Sequence, residues 1–87
     1  MDFVPEFAPD AESQWHELDP VLQELVLDKV EEVVQNPPGP PAVELFPDII
    51  HDDEHAWHYV FLSINIDRAK GRITVAGVNH FSRPKPK

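Results

Sequence analysis

Residues 56–81 read AWHYVFLSINIDRAKGRITVAGVNHF, and this stretch determines the fold. Its first half alternates apolar and other side chains with the two-residue period of a strand, and one face is aliphatic. That face consists of Val60, Leu62, Ile64 and Ile66. Residues 67–71 form a polar loop, in which Gly71 suits the positive φ of a hairpin turn. A second strand is predicted over residues 72–81, so the stretch predicts an antiparallel hairpin.

Two helices are predicted upstream of the hairpin. Pro9 and Pro20 suit the first helical position, and Asp19 suits the N-cap of the second helix. The apolar stripe of that helix consists of Leu22, Leu25, Val26, Val30 and Val33. Such a stripe predicts that the helices cover the aliphatic face of the sheet. The helix should end near Asn36, because the proline run at residues 37–41 is a stiff connector or, alternatively, a ligand for an SH3-like domain.

The remaining segments predict further strands. Phe3, Pro5 and Phe7 alternate with their neighbours, and a strand containing Pro5 should lie at a sheet edge. Residues 43–50 are apolar but interrupted by Pro47, which predicts one or two short strands. The whole order predicts an α+β fold: a short N-terminal strand, a helical hairpin, then a mostly antiparallel β-sheet with the helices packed on one face. We expect a single domain over residues 1–81 and a flexible basic tail over residues 82–87.

Composition restricts the classes of function. The chain has 87 residues, 41% of them hydrophobic, which suits one globular domain. It has no cysteine, so disulfides, thiolate metal sites and a cysteine nucleophile are excluded. Together with the lack of a signal-peptide pattern in residues 1–10, this predicts a cytoplasmic protein that does not enter a membrane. No phosphate-binding glycine loop occurs, and no cofactor is expected.

Charge is distributed unevenly, with a formal net charge of -9. Residues 1–54 carry 15 of the 16 acidic side chains and a single base, Lys29, whereas residues 55–87 carry six bases. The overall acidity disfavours nonspecific nucleic-acid binding and is compatible with a basic protein partner. The bases near the C-terminus are interpreted as solvated, with a small phosphate-binding patch as the alternative.

Histidines and carboxylates supply the candidate chemistry. His58 and His80 stand near strand ends that a hairpin brings together, and Glu44 is expected near the same rim. A carboxylate with histidines can transfer protons near neutral pH, although periodicity alone favours ordinary surface residues. His51, His55 and His58 offer imidazoles among acidic residues, but they match no standard metal-ligand spacing. We therefore predict a solvated acidic turn and no metal site, and a metal site formed by these histidines is the least favoured alternative.

Aromatic side chains alternate with the aliphatic ones in the first strand of the hairpin. Trp57, Tyr59 and Phe61 are therefore expected on the opposite face of the sheet. Exposed aromatics at strand spacing can bind a peptide or stack on nucleic-acid bases. A second small core beneath the proline run is the alternative.

Several short motifs follow one another along residues 3–81. They are Phe7-Ala8-Pro9-Asp10-Ala11, then Trp15 and Leu18, then Pro20 through Asn36-Pro37, and finally Val75-Ala76-Gly77-Val78-Asn79 before His80-Phe81. In this order they resemble the RelE/ParE superfamily of bacterial toxins. The end is most similar to a YoeB-like member, in which a histidine followed by an aromatic closes the last core strand.

The resemblance implies a function and partners. It implies the toxin of a type II toxin–antitoxin system, a metal-independent endoribonuclease that cuts messenger RNA in the ribosome. Such toxins help a ribose 2′-OH attack the adjacent phosphate. The implied partners are a cognate antitoxin protein, the ribosome and mRNA.

The resemblance also implies roles for individual residues. Glu44 is the candidate base, His80 is the general acid, and His58 stands where the family usually has an arginine. The expected substrate-binding residues are Trp57, Tyr59, Phe81 and Arg83. Because an imidazole is a poorer phosphate clamp than a guanidinium, and because this chain is acidic, a second hypothesis stays open. It is a non-catalytic protein-interaction module on the same fold, such as a degenerate toxin, a gyrase-directed ParE-like protein or an acidic nucleic-acid mimic.

Overall fold

The described part of the chain contains two helices and four strands, which follow one another in the order that the sequence predicts. A computed structural model describes residues 3–86, and the side chains at positions 46–49 lie outside that description. The elements are β1 (Val4–Phe7), α1 (Pro9–His16), α2 (Pro20–Gln35), β2 (Ala42–Asp52), β3 (Ala56–Asp67) and β4 (Arg72–Pro84). The predicted α+β fold is confirmed.

A proline begins each helix of the helical hairpin, and two hydrogen bonds hold the helices together. Pro9 and Pro20 occupy the start of α1 and α2, where a missing N–H costs no helical hydrogen bond. Trp15 Nε1 donates to the Gln23 carbonyl at 3.1 Å, and Gln23 Nε2 donates to the Trp15 carbonyl at 3.2 Å. These reciprocal bonds hold α1 to α2. Neither helix of the described region is long and apolar enough to cross a membrane.

The sheet has the strand order β1-β4-β3-β2. β1 pairs with β4 in parallel at one edge, as Pro5 predicted, and the other pairs are antiparallel. Gly71, with φ 64°, permits the turn between β3 and β4. The buried apolar core is formed by Ala11, Leu18, Leu22, Val26, Val30, Val33, Val60, Leu62, Ile64, Ile66, Ile73, Val75 and Val78. The helices therefore cover one face of the sheet, which we call the core face; the opposite face is called the open face.

Strand β2 differs from the prediction of one or two short strands. It runs over 11 residues, with a register shift between Leu45 and Ile49 against β3. Pro47 lies within this shift. A proline and an irregularity are both tolerated here because β2 is an edge strand, and no further strand of residues 3–86 pairs with its outer side.

Strand β4 continues beyond the predicted boundary at residue 81. Ser82, Arg83 and Pro84 pair with the first three residues of β3, and the Lys85 N–H donates to the His55 carbonyl at 3.0 Å. The Lys85 side chain also forms an ion pair with Asp52. The prediction of a flexible tail from residue 82 is therefore wrong for residues 82–85, because long-range pairing outweighs their turn-like composition. Residue 87 lies outside the described residues.

Deleting residues 82–87 tests this extension. We expect a loss of about 1–3 kcal/mol in the free energy of unfolding, since each lost hydrogen bond contributes about 0.5–1.5 kcal/mol. Urea denaturation followed by far-UV circular dichroism measures the loss. Deleting residues 86–87 alone is the control and should leave the midpoint unchanged. A full deletion that behaves like this control would show that the segment contributes nothing to the sheet.

Candidate active site

Three side chains form a hydrogen-bonded group at one end of the sheet, which we call the acid–base cluster (Asp53, His58 and His80). His58 Nε2 lies 2.5 Å from Asp53 Oδ2, and His58 Nδ1 lies 3.0 Å from His80 Nε2. The contact between the two imidazoles has the length of an ordinary hydrogen bond, and the contact with Asp53 is shorter than the usual N–H···O range. An ionised carboxylate only accepts, so His58 Nε2 carries a proton and donates it to Asp53. The central imidazole is thus held from both sides.

The strand register brings the two histidines together. Val60 pairs with His80 and Ser82 pairs with His58, so the two imidazoles are diagonal neighbours on the same face of β3 and β4. The predicted hairpin brings the strand ends that carry His58 and His80 close together, and in the structure His58 Nδ1 and His80 Nε2 are in contact.

Asp53 reaches the cluster from the turn between β2 and β3. Its Oδ1 accepts the backbone N–H groups of His55 and Ala56, each at 2.7 Å. This turn geometry fixes the carboxylate and leaves Oδ2 for His58. Sequence analysis did not place Asp53 in contact with the histidines. The available signal was its position three residues before the strand, which is typical of an aspartate that caps a turn.

A third imidazole extends the cluster across the sheet. His51 pairs with His58 across β2 and β3, with ring centroids 6.0 Å apart and planes inclined at 28°. The His58 and His80 rings are stacked at 5.2 Å and 22°. His55 is not part of this row, because its side chain is 85% exposed beside Glu54. In the described part of the chain, no group of three or more His, Asp or Glu side chains is arranged to hold a metal ion.

Burial and hydrogen bonding set the charges of the cluster. The His58 side chain is only 13% exposed, whereas His80 is exposed at the residue level. The hydrogen bond from His58, supported by the Ala56 and His55 N–H groups, holds the pKa of Asp53 far below its ordinary 3.8. Partial burial of the ring and the positive charge of His58 lower the pKa of His80, and Asp19 opposes this shift. Asp53 is therefore ionised at neutral pH, and His80 is predominantly neutral.

The structure does not bring Glu44 to the cluster. Glu44 is exposed and pairs with Ser63, five residues along β3 from His58, a separation of about 16 Å. Its neighbour Leu45 packs against the core, so Glu44 lies on the open face, opposite the histidines. The expectation that it shares their rim is thus wrong, because it ignored the alternation of faces along β2.

The predicted substrate-binding residues lie together, but on the open face. Tyr59 pairs with Phe81 and Trp57 pairs with Arg83. The Phe61 and Phe81 rings are 5.2 Å apart, and Phe81 is 56% exposed. We call these aromatics the aromatic patch (Trp57, Tyr59, Phe61 and Phe81). Side chains alternate along a strand, so the patch and the acid–base cluster occupy opposite faces of the same hairpin.

The free edge of β4 joins the two faces. β1 pairs with β4 only from Arg72 to Val75, so no strand of the described region flanks His80 and Phe81 on that side. His80 and Phe81 are consecutive and point to opposite faces at this edge. An extended ligand that crosses the edge can therefore contact both side chains.

Comparison with known proteins identifies the class of fold. No family model and no curated protein sequence matches the chain. Among solved structures, the intact RelBE toxin–antitoxin complex of E. coli has a chain that is 18% identical, with a TM-score of 0.68 over 91% of this chain and 95% of that chain. The fold of this protein is therefore RelE-like, as the sequence resemblance predicted.

Two further solved structures have a similar fold. A RelE variant from E. coli in the free state, with two arginine-to-alanine substitutions, is 20% identical, with a TM-score of 0.69 over 91% of this chain and 83% of that chain. The RelBE2 toxin–antitoxin complex of Mycobacterium tuberculosis gives 16% identity and a TM-score of 0.63, over 93% of this chain and 100% of that chain. At these identities the likeness concerns the fold.

Proposed function

We propose that this protein is the toxin of a type II toxin–antitoxin pair and that it cleaves ribosome-bound mRNA in the cytoplasm. The observation that carries the proposal is the hydrogen bond of 3.0 Å between His58 and His80, which places a neutral, exposed imidazole at a free sheet edge. The RelE-like fold supports it, because two of the compared structures are toxin–antitoxin complexes. A cognate antitoxin is accordingly the proposed protein partner.

The proposed chemistry is transfer within the RNA strand. The 2′-hydroxyl of one nucleotide loses its proton to solvent as its oxygen attacks the adjacent phosphorus, the bond to the 5′-oxygen breaks, and His80 protonates that oxygen as it leaves. The products are a 2′,3′-cyclic phosphate and a free 5′-hydroxyl end, and no metal ion takes part. Glu44 has no assigned role, because it lies on the other face.

The aromatic patch and Arg83 complete the proposed substrate site. An RNA strand crossing the free edge of β4 places bases against Phe81 and Tyr59 on the open face, where stacking contributes about 1–3 kcal/mol per base. Arg83, which is exposed and pairs with Trp57 of the patch, supplies a guanidinium that can bind a phosphate. The scissile phosphate then lies beside His80 on the core face.

A non-catalytic interaction module is the second candidate. The net charge of -9 and the exposed acidic side chains of α2 favour it, since such a surface attracts a basic protein. These side chains include Glu24, Asp28, Glu31 and Glu32. Under this alternative, binding weakens as salt rises and no RNA is cleaved.

Induced expression in bacteria distinguishes the two functions. We expect growth arrest within one or two generations, accompanied by new mRNA fragments with 5′-hydroxyl ends, which ligation-based sequencing maps. The same plasmid with a stop codon at residue 3 is the control. Arrest without new RNA ends would point to a different target, as for a gyrase-directed protein. Normal growth at good soluble expression would rule out an active toxin in that host.

A further inference from the structure

We propose that Asp53, His58 and His80 act as a relay that holds a single mobile proton and delivers it at the outward Nδ1 of His80. Asp53 and His58 are then positioning residues, and His80 alone touches the reacting atoms. The catalytic part of this inference rests on the proposed ribonuclease function. The relay itself follows from the cluster and is testable without any substrate.

The contact between the histidines limits the number of protons. His58 Nδ1 and His80 Nε2 face each other at 3.0 Å, a distance that needs one donor and one acceptor. If both imidazoles were fully protonated, two N–H groups would face each other and the bond would break. The pair therefore carries at most one positive charge while the contact lasts.

The surroundings place that charge on His58. The Asp53 carboxylate contacts His58 Nε2, and the carboxylate is itself fixed by two backbone N–H groups. His80 has no carboxylate within hydrogen-bond distance in the described region, and the closest acidic influence is Asp19, in the turn between α1 and α2. The remaining neighbour is His51 of β2, which stacks on His58. Protonation of His51 opposes a charge on His58, so the relay is strongest when His51 is neutral.

The relay has two states that differ by one proton. In the charged state His58 carries protons on both nitrogens and donates a hydrogen bond from Nδ1 to His80 Nε2. The neutral His80 then carries its own proton on Nδ1. In the neutral state His58 keeps only its Nε2 proton, the inner proton has moved to His80 Nε2, and His80 Nδ1 has a lone pair. The change from the charged to the neutral state removes one proton from His80 Nδ1, and His58 loses its positive charge.

This arrangement solves a problem of the proposed reaction. Because burial and the charge of His58 lower the pKa of His80, the imidazolium form of His80 is poorly populated at neutral pH. In the relay, His80 Nδ1 gives its proton to the leaving 5′-oxygen while His80 Nε2 takes the proton of His58. His80 remains neutral throughout, and solvent restores the proton afterwards. The positive charge is thus stored beside Asp53, away from the solvent-exposed imidazole.

The test is nitrogen NMR of the histidine side chains in the full chain, with the Asp53→Asn variant. At pH above the titration, wild type should show a protonated Nε2 and an unprotonated Nδ1 on both His58 and His80. An asparagine keeps the oxygen that accepts the turn N–H groups but turns an N–H toward His58 Nε2. His58 Nε2 must then accept, so both tautomers should invert in the variant.

Two further variants make the result decisive. His58→Gln should raise the apparent pKa of His80 toward that of a free imidazole, and His55→Gln, an exposed histidine outside the cluster, should change neither tautomer nor titration. With mRNA on ribosomes, Asp53→Asn should lower kcat about 100-fold or more with KM changed less than about twofold. The catalytic pH profile should shift with the NMR titration.

The outcomes separate the relay from the proposed function. Two results together would overturn the relay, even if RNA is cleaved. In one, His80 titrates in wild type as it does in His58→Gln; in the other, neither histidine tautomer inverts in Asp53→Asn. Coupled titration and inverted tautomers in a protein that cleaves no RNA would uphold the relay and overturn the ribonuclease proposal. Inversion together with a fall in kcat would support both.

Discussion

Replacing Leu22 with alanine is expected to lower the free energy of unfolding by about 3 kcal/mol. Leu22 lies in the first turns of α2, is 1% exposed, and is among the largest fully buried side chains of the described core. Its truncation leaves a cavity between α2 and the sheet, which the close-packed neighbours fill only partly. In a small domain with a total of about 5–15 kcal/mol, this loss should reduce the melting temperature by roughly 12 °C or more.

Leu27→Ala is the matched control for this experiment. It is the same substitution in the same helix, so the difference in helix propensity cancels, but Leu27 is 46% exposed. We expect a loss below about 1 kcal/mol. Urea denaturation of both variants measures the difference. Equal losses would contradict the packing of α2 described above.

This contrast within α2 reflects how much of the fold local sequence determines. The helical stripe predicted Leu22, Val26, Val30 and Val33, which are all buried, while Leu25 is partly buried against the same core. The alternation in β3 predicted its core face correctly for the same reason. Both patterns have many apolar positions at the right period, so the burial of one face outweighs every other contribution to the local structure.

The ends of the sheet were not predictable in this way. Residues 82–87 read SRPKPK, a composition typical of a frayed end, yet residues 82–84 pair with β3. Their partner strand exists at that point because Asp53 closes the turn that starts β3 at Ala56. The side chain that fixes this pairing is Asp53, about thirty residues earlier in the chain. The periodicity of residues 82–84 therefore does not reveal the pairing.

The candidate site was predictable in part. Hairpin geometry predicted the approach of His58 and His80, and the structure brings their rings into contact. Placing Glu44 at the rim of the two histidines failed to consider which face of β2 it occupies. Face alternation is a simple rule, but across two strands it needs the register, and the register of β2 contains a shift.

His80→Ala is expected to abolish growth arrest and to lower the rate of mRNA cleavage about 10²- to 10⁴-fold, the usual contribution of a general acid or base. The substitution removes the imidazole that faces solvent at the free edge of β4, so the 5′-oxygen must leave without a proton donor. His58 and Asp53 remain in contact, but His58 Nδ1 is then separated from the phosphate by the space the lost ring occupied.

The matched control is His55→Ala, which removes an exposed histidine three residues from His58 but outside the acid–base cluster. It should cleave mRNA at the wild-type rate. Thermal unfolding of both variants must stay close to that of wild type, because neither side chain belongs to the buried core. Retained cleavage in folded His80→Ala would disprove the proposed role of His80.

Added imidazole gives a readout that a purely structural role of His80 would not alter. At the exposed edge of β4 a free imidazole can enter the space left in His80→Ala and take a proton from His58, as the missing ring did. Cleavage should then rise with imidazole concentration and should rise less in the double variant His80→Ala, Asp53→Asn, whose His58 lacks its carboxylate partner. Rescue that is equal in both backgrounds would mean that the added base acts alone, and that Asp53 and His58 contribute nothing to proton transfer.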